Sequence, residues 1–189
     1  MATTLLLASK SPRRKELLTQ IGLPVRIVSI DVDEKDYTAC DSSRIAEQLS
    51  RKKADAYPIE KIGADDILIT ADTLVVLDDE VMGKPQNRKE AIEMLQRLSG
   101  RQHTVYTGVT LTTRERQISF TEATRVQFKP LRREVIEYYV DNYKPLDKAG
   151  AYGIQEWIGM VGIERIEGCY YNVMGLPISH LFDAIRQIM

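Results

Sequence analysis

Cysteine is scarce in this chain: among 189 residues only Cys40 and Cys169 occur, far apart and without a CxxC pair. That excludes a disulfide scaffold and a four-cysteine zinc site, and it fits a reducing, cytoplasmic setting. The two histidines, His103 and His180, are too few and too isolated for a histidine-rich metal centre. Each reads as a solvated or core-edge residue. Apolar runs are only a few residues long, so no segment is expected to span a membrane. The N-terminus lacks the charged start, apolar middle and small-residue cleavage site of a secretion signal. Neither charge sign dominates: 26 Lys and Arg face 27 Asp and Glu, for a net charge of −1. A protein that grips nucleic acid by bulk positive charge would be far more basic, and no alternation of aromatic and basic residues is present. The phosphate loop GxxxxGKS/T, the dinucleotide fingerprint GxGxxG and the nucleophile elbow GxSxG are all missing.

What the chain does have is 43% hydrophobic residues distributed without a break in composition, which suits a single domain over residues 1–189. Short apolar runs alternate with helical patterns, which points to the α/β class. Leu5–Ala8 reads as a buried first strand, and Ser11-Pro12 opens a helix that Gly22 ends. Val25–Ile30 reads as a second strand, followed by the acidic stretch Asp31–Glu34. A charge-rich helix is expected over Ser42–Lys61. A third strand over Ile67–Ala71 ends at Asp72, and Leu74–Leu77 continues it to an Asp78-Asp79 turn. Asn87 and Glu90 have capping-box spacing for a helix that runs to Gly100. Strands over Thr104–Leu111 and Gln117–Phe128 flank a polar turn. A helix follows over Arg132–Asn142. Met160–Ile166 and Cys169–Val173 bracket Glu167-Gly168 as a hairpin, and a last helix follows Pro177.

Several segments carry chemistry. Ser9-Lys10-Ser11-Pro12-Arg13-Arg14-Lys15 sets four cations and two hydroxyls at a helix start. Helices favour acids in the first turn, so this block opposes the dipole and marks an anion site, where Arg13 and Arg14 can each grip phosphate bidentately. Asp72 and Thr73 stand at the end of an apolar strand, where open α/β sheets place ligands; the carboxylate suits a hard cation or a general base. Glu34, after the second strand, could share that cation. Lys53, in Arg51-Lys52-Lys53, and Lys84, in Gly83-Lys84-Pro85, would read as solvated residues on their own. Asp147–Gln155 is a glycine-containing loop that permits close backbone approach to a ligand, and Gln155 offers both donor and acceptor to a pyrimidine edge. Tyr152 and Trp157 read as core aromatics rather than stacking partners.

The run Ala8-Ser9-x-Ser11-Pro12-Arg13-Arg14-x-Glu16-Leu17-Leu18 is similar to the opening of the Maf-like nucleoside triphosphate pyrophosphatases. So are Ala71-Asp72-Thr73, Gly83-Lys84-Pro85, Met94–Gly100, Asp147–Gln155 and Gly175-Leu176-Pro177, in the family's order and over most of the chain. The chain departs at Thr70, where the family usually has glycine, and at Asp33-Glu34, where two glutamates are common. The resemblance implies a mixed α/β fold, a twisted sheet with flanking helices in two lobes around a nucleotide-binding cleft. It implies hydrolysis of a nucleoside triphosphate to the monophosphate and pyrophosphate with a divalent cation, Mg²⁺ foremost and Mn²⁺ or Co²⁺ as alternatives. Asp72 matches the family's proton acceptor. Ser9, Arg14, Glu34, Lys53 and Lys84 match the phosphate and metal site, with Glu34 and Asp72 as metal ligands. Arg13, Thr73 and Gln155 match positions that separate the branches, in the combination of the dTTP/UTP branch rather than the 7-methyl-GTP branch. Such enzymes are thought to clear non-standard nucleotides, and members are linked to arrest of septum formation. The competing class is a nucleotide-binding regulator of division without catalysis. Neither nucleic acid nor membrane is an expected partner, and a homodimer is the base-rate expectation for assembly.

Overall fold

A computed structural model of the chain describes residues 3–32 and 41–189. The strands are β1 (Thr4–Leu7), β2 (Val25–Ile27), β3 (Asp66–Leu77), β4 (Glu80–Met82), β5 (Gln102–Thr112), β6 (Gln117–Phe128) and β7 (Ile163–Glu167). The helices are α1 (Pro12–Thr19), α2 (Ser42–Asp55), α3 (Arg88–Leu98), α4 (Arg133–Tyr143), α5 (Trp157–Gly162), α6 (Tyr170–Met174) and α7 (Ile178–Ile188). Among the described residues the strands form a mixed seven-stranded sheet in the order β2-β1-β3-β5-β6-β7, with β4 also on β3. β1 runs parallel to both β2 and β3, while β4 is antiparallel to β3 and β7 to β6. This is the expected mixed α/β fold. The chain divides into two compact units: residues 1–73, 107–122 and 175–189, and residues 74–106 and 123–174.

In the first unit, Leu5, Leu6 and Leu7 are all fully buried. Successive strand residues face opposite sides, so β1 is covered on both, as parallel strands are. On one side Leu6, Ala8 and Leu68 pack with Ala54 and Ile62, backed by Val28, Ile30 and Tyr57. α2 comes close enough to β5 that a Cβ on Gly108 would lie 2.2 Å from the Ala46 carbonyl carbon. Only glycine lets these two backbones meet.

In the second unit, Leu77, Leu95, Leu98, Phe128, Ile136, Tyr139 and Ile158 belong to one apolar cluster that α3 and α4 share with the strands. Asn87 caps α3 by accepting from the Glu90 N–H at 3.0 Å, as the capping-box spacing predicts, and Glu90 in turn accepts from the Gln86 N–H at 2.7 Å. Asp78 and Asp79 form the expected turn, both at positive φ.

Five elements differ from expectation; among them, Met160–Gly162, expected to open a strand, completes α5, and β7 begins only at Ile163. α2 ends at Asp55 rather than Lys61, because Pro58 disfavours helix at the residue before it; a separate 3₁₀ turn covers Ile59–Lys61. β2 stops at Ile27, which pairs with Leu7, the last residue of β1; one further bond, from the Val28 N–H to the Leu7 carbonyl at 3.0 Å, closes the ladder. β3 is a single twelve-residue strand that carries Asp72 in its middle rather than at its end. Cys169–Val173 is not the second arm of a hairpin: α6 begins there instead. Its Asn172 amide donates to the Val105 carbonyl at 3.1 Å and the Thr124 hydroxyl at 2.9 Å, and these tertiary bonds override the β propensity of Tyr170, Tyr171 and Val173.

Candidate functional site

β1 pairs with residues 66–69 of β3 and β4 with residues 75–77, so Thr70–Leu74 lies between the two partners. In that gap the Ala71 carbonyl accepts from side chains: from Arg14 at 2.8 Å and from Lys53 Nζ at 3.4 Å. Asp72, the next residue, is buried at 8% exposure, and Lys53 Nζ donates to its Oδ1. Lys53 is itself only 6% exposed. The Arg51-Lys52-Lys53 run is therefore not a uniform solvated face. Helical rotation turns Arg51 out to pair with Glu47 at 3.0 Å and turns Lys53 in. A buried pair of this kind is held by mutual dependence: each charge costs free energy to desolvate and is tolerated because the other is present.

Arg14 holds the strand on either side of Asp72. Its Nη1 reaches the Ala71 carbonyl, its Nη2 donates to Thr73 Oγ1 at 2.9 Å, and its Nε donates to the Gly175 carbonyl at 2.8 Å. The planar fork thus braces protein groups, a task for which lysine has the wrong geometry. Thr73 continues the contact to Thr107, with 3.0 Å between hydroxyl oxygens. Gly175 has φ of 115°, in the left-handed region, and a Cβ there would sit 3.5 Å from Arg14 Nε and 3.6 Å from Thr73 Oγ1. Sequence reasoning marked Gly175 only as part of a motif and missed Thr107 altogether. The sequence shows Gly175 as a glycine just ahead of Leu176-Pro177, a turn signal, but not its φ; a threonine within a β-strand carries no signal at all.

The basic turn forms as expected. Ser11 caps α1, accepting from the Arg14 N–H at 3.4 Å, and its own N–H bonds to Ser9 Oγ at 3.2 Å. The first turn of α1 contains no acid. Ser9 and Arg13 are half-buried beside it. Ser9, Arg13, Arg14, Lys53, Asp72 and Thr73 are all residues of the first unit. Glu34 lies outside the described residues. Lys84 and Gln155 belong to the second unit, where Lys84 is exposed and Gln155 is half-buried with its Oε1 buried and without a hydrogen-bond partner.

The small residues of the loop before Gln155 lie close against neighbouring side chains. Gly150, at φ of 67°, would place a Cβ 3.0 Å from Val75, and one on Gly153 would lie 2.9 Å from the Glu156 carboxyl carbon. The close approach is to the protein itself. The loop is tied down by charge: buried Lys148 reaches Asp147 at 2.8 Å and Glu156 at 3.0 Å. The Tyr139 hydroxyl donates to Glu156 and accepts from the Gly153 N–H at 3.0 Å. Burial, together with the Glu156 carboxylate, holds the Tyr139 proton well above the usual phenol range. Tyr152 is a core aromatic, as read, and Trp157 packs against the same cluster. His103 is fully within that core, bonded to the Tyr152 hydroxyl at 2.7 Å, and burial pushes its pKa down to about 4. His180 sits apart on Glu122 at 2.9 Å.

The fold and this site together define an α/β protein with a buried acid–amine pair beside a basic helix start. Residues 4–188 match the family model described as Maf-like protein, and the chain belongs to that family. Its relatives include a Bacteroides thetaiotaomicron protein, 51% identical over 97% of this chain and 95% of its own length, named dTTP/UTP pyrophosphatase. Proteins of the same name from Bacteroides fragilis, at 50% over 97% and 95%, and Cytophaga hutchinsonii, at 47% over 98% and 84%, are similar too. Among solved structures, the Ham1 protein of Staphylococcus aureus shares 12% identity over 66% of this chain and 71% of its own, with a TM-score of 0.46. The architecture above stands without that likeness.

Proposed function

We propose that this protein is a nucleoside triphosphate pyrophosphatase that hydrolyses the α–β phosphoanhydride of dTTP and UTP to the monophosphate and pyrophosphate. The observation that carries the reading is the buried Asp72, held by Lys53 and flanked by the Arg14 brace, in a chain about half identical to proteins named for this activity.

Asp72 orients a water and takes its proton as the water oxygen attacks phosphorus; the pyrophosphate leaves with the electron pair of the broken P–O bond. Lys53 keeps the carboxylate in place. Ser9, Arg13 and Arg14 at the helix start, with Lys84, offset the charge of the triphosphate; positioning and charge stabilisation dominate phosphoryl chemistry. Thr73 and Gln155 favour the pyrimidine base, the role the family resemblance assigns them.

The donor chemistry fits a hard divalent cation. Among the described residues no group of three His, Cys, Asp or Glu could hold a metal alone. Mg²⁺ typically takes one or two carboxylates and completes its shell with substrate phosphates and water, so Glu34, joined by Asp72 where Asp72 does not act as the base, would hold it. Such an ion supplies charge neutralisation at the phosphates.

The test is pyrophosphate release from dTTP, UTP, CTP and 7-methyl-GTP with Mg²⁺. Release from dTTP and UTP is expected, and Asp72→Asn should lower it by about 10²–10⁴-fold while remaining folded, the usual effect of losing a general base. Wild-type turnover by Asp72→Asn would remove Asp72 from the chemistry. Preference for 7-methyl-GTP would keep the reaction and overturn the branch. Silence across the panel would favour the regulator reading.

A further inference from the structure

Thr70 is fully buried, two residues before Asp72 on β3. Residues i and i+2 of a strand share a face, so the Thr70 hydroxyl and the Asp72 carboxylate project to the same side. On that side lies α2. The Thr70 hydroxyl donates to the Ser50 carbonyl at 2.6 Å, and Lys53, three residues further along α2, donates to Asp72. Helix and strand are therefore joined by two rungs, Thr70 to Ser50 and Asp72 to Lys53. Three helical residues advance about 4.5 Å and two strand residues about 6.6 Å, and the flexible lysine stem takes up the difference. The first rung is short and buried, whereas the second depends on a long side chain.

Ser50 is anchored from the other side as well. Its hydroxyl donates to the Glu47 carbonyl at 2.8 Å and lies 2.8 Å from Thr110 Oγ1, which is 2.9 Å from Ser119 Oγ. With Gly108 against Ala46 one turn earlier, the helix is pinned to β3 and β5 just before Lys53.

We infer that Thr70 is a positioning residue: by holding the Ser50 carbonyl it fixes where α2 presents Lys53, and so where Lys53 holds Asp72. This rests on the reading of Asp72 as the catalytic acid. Thr70→Val keeps shape and burial but removes the donor. Its kcat should fall about tenfold with KM within about twofold, a loss in the range that sub-ångström to 1 Å misplacement produces. Thr70→Ser keeps a hydroxyl and should stay within about twofold of wild type. Because Thr70 acts through Asp72, Thr70→Val should cost nothing further in the Asp72→Asn background. If the valine variant does not fold, Thr70→Ala replaces it in both backgrounds.

An unchanged kcat, a KM that moves with kcat, a serine variant as slow as the valine one, or equal losses in both backgrounds would each overturn the positioning role. A slow Asp72→Asn beside a fully active Thr70→Val would defeat this role and leave the proposed function standing. An Asp72→Asn enzyme with wild-type turnover would defeat both.

Discussion

Replacing Lys53 by methionine should destabilise the protein far more than a lysine substitution ordinarily does. The Lys53 and Asp72 side chains are only 8% and 11% exposed, and the ammonium donates to Asp72 Oδ1 and to the Ala71 carbonyl. Methionine fills the space of the stem and leaves the carboxylate buried without its counter-charge. Breaking a buried pair from one side costs about 3–5 kcal/mol. For a chain of this size each kcal/mol lowers Tm by about 2–4 °C, so a fall of about 6–20 °C is expected by calorimetry. The Ala71 carbonyl retains Arg14 at 2.8 Å, so that loss adds little. Removing both charges in Lys53→Met/Asp72→Leu should recover most of the loss, since an apolar replacement of a buried pair is often neutral. The deficit of the single variant should persist in 1 M salt, because buried charges are weakly screened. A single variant that melts with wild type, or a double variant no better than the single, would refute the mutual dependence of the pair.

Gly108→Ala should fold poorly or melt well below wild type: the new Cβ would meet Ala46 and Glu47 backbone atoms at 2.2–2.3 Å, and backbone cannot yield as a side chain can, so the cost exceeds the about 1–3 kcal/mol usual for overpacking. Soluble yield and Tm check it. His103 is neutral when folded, with its pKa held at about 4 by burial, so the unfolded chain takes up a proton first as pH falls. Stability should therefore decline from about pH 6.5 down to about pH 4, by about 3 kcal/mol in total, and His103→Gln should lessen that slope in melting curves taken between pH 7 and pH 4.5.

Local signals in the sequence carried the helix starts and turns well. Ser11-Pro12, the Asn87–Glu90 spacing and Asp78-Asp79 act within a few residues of themselves, so the chain states them directly. Asp72, Arg14 and Lys53 were legible as residues that belong together through the family resemblance, and the structure gathers all three in the first unit. Their roles were less legible. Arg14 reads as a phosphate fork, yet it braces Ala71, Thr73 and Gly175. Lys53 reads as one cation in a solvated run, and only helix rotation against β3 distinguishes it from Arg51. Thr70 and Thr107 are ordinary strand residues whose partners lie 20 and 34 positions away, and Gly108, an unusual strand residue, matters because Ala46 backs onto it from another element. The helix at Tyr170–Met174 was missed for the same reason, since the amide bonds of Asn172 are invisible to local propensity.

The Arg14 brace has a consequence for synthesis. One of its three acceptors, the Gly175 carbonyl, lies 161 positions along the chain. A polypeptide emerging N-terminal end first can form β1, α1 and β3 early, but it cannot close this contact until the 161 residues from Arg14 to Gly175 have been made. Contacts of such sequence separation are slow to form, because a long loop must close before they reward it. The nascent chain thus carries Asp72 through a long stretch of translation without the completed brace, and the strand that bears Asp72 acquires this support only once Gly175 joins the fold.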